Sequence, residues 1–213
     1  MKKVGLLITV LLLGTAPALA QDRSGTFEIS PFGGGNFGGT LTTYTPSNGY
    51  ERKLDVGDAG AYGVRLGYNF SSRAGIEFGW AHASNGIYAS SGGSFAPQTR
   101  IGNFDTDAFE VNGVFAFTRG KVVPYFSIGG GLNSMKLALN GEGSSTETKF
   151  VGNLGMGVKF WITPQFGIRL DGRIRSTYID SGSGCHDHYC DSYYYDSNWY
   201  TSGEATAGLS FAF

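Results

Sequence analysis

The sequence predicts an all-β fold, an eight-stranded antiparallel transmembrane β-barrel arranged as an up-and-down meander. Segments of alternating apolar and polar residues recur along the chain, and the connections between them are alternately short and long. The composition is also unusual for a water-soluble domain. There are 35 glycines, 15% aromatic residues and only 15% charged residues, against about 25% charged residues in typical soluble domains. A soluble β-sandwich could share this composition, so the pattern within each strand decides between the two folds.

Residue parity separates two chemically different faces, because successive side chains of a strand point to opposite sides. The predicted strands lie at about 27–30, 62–70, 76–81, 109–117, 125–132, 153–160, 166–175 and 204–213. The first is less regular, since Pro31 and a run of glycines interrupt it. The sharpest alternation is in 166–175, where Phe166, Ile168, Leu170 and Ile174 oppose Arg169, Asp171, Arg173 and Arg175.

Ten charged residues at strand centres all share the face that is rich in Gly, Ser and Asn, and five carry each sign. They are Glu28, Arg65, Glu77, Glu110, Lys159, Arg169, Asp171, Arg173, Arg175 and Glu204. A sandwich has little reason to make its solvent face so rich in glycine. A narrow barrel in lipid is apolar outside and polar inside, with small residues where the lumen is tight. Balanced charges can pair there, which favours a salt-bridged plug over the alternative, an ion path.

The connections predict the topology. Residues 71–73, 118–121 and 162–165 form short turns, whereas about 37–58, 84–104, 138–148 and 178–198 are long and polar. Periplasmic turns and extracellular loops alternate in this way in bacterial barrels. Eight strands with four outer loops place both termini on the periplasmic side.

The first twenty residues are expected to be removed. Met1-Lys2-Lys3 precedes an apolar run over 4–13, and Ala18-Leu19-Ala20 forms a small-x-small cleavage site. This is the pattern of a secretory signal peptide; a retained membrane anchor, the alternative, needs about 20 apolar residues. Residues 21–213 then form one barrel domain. The net charge is −1 and no basic tract occurs, so no nucleic-acid partner is expected.

The final strand and three internal motifs resemble a known family. Residues 206–213 read polar-x-Gly-x-x-aromatic-x-Phe through Thr206, Gly208, Phe211 and Phe213, which resembles the C-terminal signal read by the outer-membrane assembly machinery. Together with segments 27–34, 63–68 and 123–131, the octad makes the chain similar to the small outer-membrane β-barrel superfamily, which includes the membrane domain of outer membrane protein A and the opacity proteins.

The resemblance implies an integral protein of the Gram-negative outer membrane. Its implied partners are membrane lipid, lipopolysaccharide and the assembly machinery, and it needs no cofactor or metal. A monomer is expected. Because this scaffold carries adhesins, pores, enzymes and structural proteins, the family alone does not define an activity. The role expected here is non-enzymatic display of four loops, with an extracellular ligand that the sequence does not identify; a narrow pore for small solutes is an alternative.

The last long connection carries two further features. Cys185 and Cys190 flank two histidines; in an exported protein a disulfide is expected, whereas a metal site is disfavoured because the spacing is not a standard zinc pattern. A cluster of aromatic residues begins between the two cysteines and consists of Tyr189, Tyr193, Tyr194, Tyr195, Trp199 and Tyr200. It suits either a recognition surface or an interfacial girdle.

An enzymatic alternative comes from His82-Ala83-Ser84-Asn85, which resembles the His-x-Ser-Asn sequence of outer-membrane lipid A deacylases. His82 and Ser84 share the lipid-facing parity of their strand, and Asp107 or Asp105 on the next strand could orient the imidazole for ester hydrolysis. The stretch 86–103 lacks the acidic residue of that family, and the motif lies in the third strand rather than near the C-terminus. The interpretation favoured here is therefore that these are polar residues where strands leave the membrane.

Overall fold

A computed structural model describes residues 23–44, 52–91, 98–139, 144–178 and 199–213. These ranges contain ten strands: β1 (Thr26–Phe37), β2 (Thr40–Tyr44), β3 (Arg52–Val56), β4 (Ala59–Asn69), β5 (Ala74–Ser91), β6 (Gln98–Ala116), β7 (Val122–Leu139), β8 (Ser144–Trp161), β9 (Phe166–Tyr178) and β10 (Trp199–Ala212). They contain no helix that is long and apolar enough to cross a bilayer.

Eight of the strands close into one antiparallel barrel, which confirms the predicted fold. Around the wall the order is β1, β4, β5, β6, β7, β8, β9 and β10, and β10 pairs with β1 again. The closing seam reaches the last residue, because the Phe27 and Phe213 backbones exchange N–H···O bonds of 2.9 and 3.0 Å. Closure matters because an open strand edge cannot be hydrated inside a bilayer.

The long connections differ from the prediction, since much of their length is strand. Segment 37–58 contains the hairpin of β2 and β3, and β3 pairs with the upper part of β5. Most of 84–104 also belongs to β5 and β6. The physical reason is that the barrel continues beyond its apolar belt. There Ile87 faces inward and is fully buried, so these strands lack the apolar outer face that identified the others.

The two ends of the barrel are distinct. The turn end carries the connections 70–73, 117–121 and 162–165, and the loop end carries the β2–β3 hairpin and the other connections. Between them the outward side chains are apolar and exposed, among them Phe78, Val111, Leu132, Leu154 and Ile174. The polar side chains face inward and are buried. This arrangement suits a barrel surrounded by lipid.

Close packing accounts for much of the glycine on the inner face. A Cβ atom placed on Gly131 would lie 1.8 Å from the Phe109 carbonyl oxygen, and at Gly63 it would lie 2.1 Å from that of Trp80. On the outer face, a Cβ atom on Gly60, Gly152 or Gly172 meets nothing within 4 Å. Inward glycines therefore let the wall curve tightly, whereas these three outward glycines have open space beside them.

The glycine contrast is testable with a matched pair. Gly131→Ala should lower the free energy of unfolding by about 1–3 kcal/mol, because the methyl group overpacks the wall. Gly172→Ala should change it by less than about 1 kcal/mol. Urea unfolding in detergent micelles, with heat-modifiable gel migration as the assay of the folded barrel, measures both. Equal effects of the two substitutions would contradict the packing explanation.

Candidate functional site

The middle of the lumen is filled by eight charged side chains, called the plug here. Its members are Arg65, Glu77, Glu110, Arg169, Asp171, Arg173, Arg175 and Glu204. No plug side chain is more than 7% exposed. Four come from β9 and the others from β4, β5, β6 and β10, so the plug ties strands together across the lumen.

One half of the plug joins Glu77 to Glu204 through three intervening side chains. The guanidinium of Arg173 lies 3.2 Å from Glu77 and 3.0 Å from Glu110. Arg175 continues the chain, at 2.7 Å from Glu110 and 2.8 Å from Glu204. Each of the two arginines thus lies between two carboxylates.

The other half returns from Glu204 to Glu77. Arg65 lies 3.1 Å from Glu204 and 3.0 Å from Asp171. Arg169 then lies 2.9 Å from Asp171 and 2.5 Å from Glu77. The eight groups therefore form a closed ring in which positive and negative charges alternate and every charge has at least two opposite neighbours; Arg65 also lies 3.9 Å from Glu77 across the ring. The ring is neutral, which suits burial, since an unpaired charge in this interior would cost several kcal/mol.

Two aromatic side chains that parity alone did not single out support the ring. The Arg65 guanidinium lies 3.8 Å from the centre of the Phe32 ring. The Tyr125 hydroxyl donates to Asp171 and accepts a 2.7 Å hydrogen bond from Arg169 Nε. Phe32 lies in the irregular part of β1, where the alternation was hardest to read.

The remaining two predicted lumen charges form a separate pair nearer the turn end. Lys159 and Glu28 make a buried salt bridge. Asn69 also donates to Glu28, at 2.8 Å. The structure thus places all ten charges on the inward face and divides them into a ring of eight and a pair.

The loop end of the lumen is closed by an apolar cluster that the sequence analysis missed. The cluster, called the lid here, consists of Val56, Ile87, Phe104, Met135 and Tyr200. The Phe104 and Tyr200 rings meet edge to face with centroids 5.7 Å apart. Tyr200 is only 3% exposed, so assigning it to a recognition surface or to a lipid-facing girdle was wrong. Continuing the inward parity of β5 from Ala83 to Ile87 could have revealed the lid.

The candidate hydrolase residues lie on the outer wall, just above the apolar belt. His82 Nδ1 is 3.0 Å from Asp107 Oδ1, which also accepts a 3.1 Å hydrogen bond from Trp80 Nε1. Ser84 donates instead to Asp105, at 2.5 Å. His82 and Ser84 therefore belong to two separate cross-strand pairs, and the serine–histidine hydrogen bond of a triad is absent from the contacts of these described residues.

Three successive rows of outward side chains show where the outer face changes from apolar to polar. In cross-strand register, Trp80, Phe109 and Leu132 lie side by side, and the next outward row is His82, Asp107 and Ser134. The row after that is Ser84, Asp105 and Lys136. The outer face thus becomes polar within two residues, at the level where the lumen begins to become apolar.

The residues of the terminal octad divide between the two faces. Phe211 and Phe213 point outward and are exposed, whereas Thr206 and Gly208 point inward. A Cβ atom on Gly208 would lie 2.5 Å from the Pro31 carbonyl oxygen. Cys185 and Cys190 lie outside the described residues, as do the tyrosines from Tyr189 to Tyr195. Among the residues that are described, no group of three or more His, Cys, Asp or Glu side chains could hold a metal ion.

A family comparison agrees with this geometry. The model of the family described as "Outer membrane protein beta-barrel domain" matches residues 6–213. The chain belongs to this family. Family and fold together make it an integral outer-membrane β-barrel protein. No curated protein sequence matches the chain.

Several solved structures share the fold. The outer membrane protein OprG from Pseudomonas aeruginosa is 12% identical, with a TM-score of 0.60 over 90% of this chain and 97% of OprG. Neisserial surface protein A is 18% identical, with a TM-score of 0.52 over 90% and 98% of the two chains. The N-terminal β-barrel domain of Pseudomonas aeruginosa OprF is 15% identical, with a TM-score of 0.50 over 91% and 100%. At such identities the likeness concerns the fold alone.

The ring predicts a large effect of removing one charge. Glu110→Gln leaves Arg173 and Arg175 with an uncompensated positive charge, so the free energy of unfolding should fall by roughly 3–5 kcal/mol. Glu147→Gln is the control, because Glu147 forms an exposed pair with Lys149 at 3.4 Å, and such pairs contribute at most about 1 kcal/mol. Urea titration in micelles measures both, and equal effects would argue against the ring.

The same preparations test whether the lumen conducts. In planar bilayers the unaltered protein should show only background conductance, because the charged ring and the lid lie in series. Regular channel steps from the unaltered protein would show that the lumen is open and would favour a pore.

Proposed function

We propose that this protein is a closed, non-enzymatic display barrel, which holds four loops at the surface of a Gram-negative cell for interaction with other molecules. The single observation that carries the proposal is the doubly closed lumen. A neutral ring of eight charges and an apolar lid occupy successive levels of one narrow barrel. Such an interior suits a scaffold better than a path for solutes.

The proposed orientation places the turn end in the periplasm and the loop end outside the cell. Residues 1–20 would direct export through the secretory pathway and be removed, leaving 21–213 as the barrel domain. Turns of four or five residues at one end and long connections at the other support this assignment. The extended upper strands would carry the loop tips away from the membrane.

The outer face of the wall supports three proposed partners: the assembly machinery, membrane lipid and lipopolysaccharide. The outward aromatic residues Phe211 and Phe213, beside the inward Gly208, suit recognition of the last strand by the outer-membrane assembly machinery. Lipid would cover the apolar belt. The polar row of His82, Asp107 and Ser134 would then meet the headgroup region of lipopolysaccharide, where side chains of this kind need no partner other than water and headgroups. We expect the barrel to act as a monomer.

Epitope tags test the proposed orientation. A short tag inserted within 92–97, between β5 and β6, should be bound by antibody on intact cells. The matched tag within 118–120, in the turn between β6 and β7, should be bound only after the outer membrane is permeabilised. Heat-modifiable migration of both fusions checks that the barrel forms. Reversed accessibility would refute the orientation and the display role with it.

A second candidate function, hydrolysis of a lipid A ester, is favoured by one observation. His82 and Asp107 lie 3.0 Å apart on the outer wall, at the edge of the apolar belt. If Ser84 donated to His82 instead of to Asp105, then Ser84, His82 and Asp107 would be hydrogen-bonded in series on the outer face of the wall.

Mass spectrometry of lipid A separates the two functions. On expression in a host with intact lipid A, the display proposal expects no loss of an acyl chain from the unaltered protein, Ser84→Ala or Ser134→Ala. The last variant is a control, because Ser134 lies in the same polar region of the wall. Loss of one acyl chain that disappears in Ser84→Ala and persists in Ser134→Ala would establish the hydrolase instead.

A further inference from the structure

The turn end of the lumen opens into a depression, called the turn-end mouth here, that is rich in cationic groups. Arg23, Arg73, Arg119 and Lys159 line it, and Glu28 is the acidic side chain among its lining residues. Ser71, Ser72, Thr118 and Asn69 add hydroxyl and amide groups. The Lys159–Glu28 pair lies at the inner side of the mouth, and the ring lies deeper in the lumen.

The one acidic group does not neutralise the two arginines of the turns. Glu28 is already bound by Lys159 and Asn69. Arg73 and Arg119 are exposed, and within the described ranges their guanidinium groups have no hydrogen bond or salt bridge. The two turns are nevertheless held together, because the Ala116 N–H donates to the Arg73 carbonyl oxygen at 2.7 Å. The two joined turns therefore hold two exposed guanidinium groups, those of Arg73 and Arg119, at one mouth of the lumen.

A buried donor in the wall of the mouth points to a ligand independently of these charges. Trp161 is only 4% exposed, and its indole N–H finds no acceptor among the described residues. The Arg23 guanidinium lies 3.7 Å from the centre of the Trp161 ring. A buried N–H group without an acceptor is unfavourable, so an acceptor entering the mouth would relieve this cost.

We propose that the turn-end mouth binds an oxyanion of the phosphate class. Arginine offers a planar fork of donors that matches the oxygens of phosphate, and the serine and threonine hydroxyls can donate to the oxygens that remain. No residue of the ring or of the lid lines the mouth. Binding of an oxyanion there would therefore be a property separate from the display of loops. The oxyanion could come from free phosphate in solution or from a phospholipid headgroup of the adjacent leaflet.

Indole NMR signals report on the mouth directly. The chain has three tryptophans, Trp80, Trp161 and Trp199, and Trp161→Phe assigns the signal of interest. In micelles of a maltoside detergent, which carries no phosphate, sodium phosphate added at constant ionic strength should shift the Trp161 N–H signal saturably and leave the other two in place. Arg73→Gln combined with Arg119→Gln should raise the apparent Kd about tenfold or more, because charge-assisted hydrogen bonds are lost.

Lys121→Gln is the matched control, since Lys121 is an exposed cation of the same turn as Arg119 but does not line the mouth. Its Kd should stay within about twofold of the unaltered value, because Lys121 does not line the mouth and would lose no charge-assisted hydrogen bond to the anion. Heat-modifiable migration verifies that every variant is folded. If the headgroup is the source, phosphatidylglycerol nanodiscs should displace the Trp161 signal before any phosphate is added; if free phosphate is the source, the signal should move only on titration.

Two results would overturn the proposal. One is a Trp161 signal that responds neither to phosphate nor to phosphatidylglycerol. The other is a shift that does not saturate and is the same in the double arginine variant and in Lys121→Gln, since this would indicate general attraction of anions rather than a site.

Discussion

The ring of eight alternating charges is the constraint on which the rest of this barrel depends. Each charged group is too deeply buried to remain ionised alone, so each requires both neighbours to be in place. Because four members lie on β9 and the others on β4, β5, β6 and β10, the ring can close only when those strands have their correct register. A slip of one residue in β9 would turn Arg169, Arg173 and Arg175 toward lipid. The interior thus specifies the pairing of the wall.

The same strands pass through two surroundings. The face that carries the polar side chains is the inner one in the apolar belt and the outer one beyond it. In the apolar belt the outer face is hydrophobic and the lumen is charged, as at Phe109 and Glu110. Beyond the row of His82 and Asp107, the outer face is polar and the lumen holds the lid. The upper part is therefore built like a small water-soluble β-structure with its own apolar core, stacked on a membrane barrel.

Alternation within single strands was enough to predict the eight barrel strands and the inward position of all ten charges, because a period of two is a local property. The pairing within the ring was not predictable, since it depends on which long side chains meet across the lumen. Phe32 was obscured by the neighbouring proline and glycines of β1. The lid was not predictable in this way for a different reason: Ile87, Phe104 and Tyr200 lie where the outer face is polar, so the alternation that marks a membrane strand does not extend to them.

The upward extension of the wall has a mechanical consequence. From Ser84 to Ser91, β5 continues at about 3.3 Å per residue, and with a tilt of 35–45° this raises the end of the strand roughly 15–20 Å. β6 descends beside it in continuous pairing, apart from one irregularity near Ile87. The connection between them therefore begins and ends on two paired strands that rise above the apolar belt. In the orientation proposed above, bulky molecules that the sugar layer of the outer membrane holds off would still reach the tip of this connection.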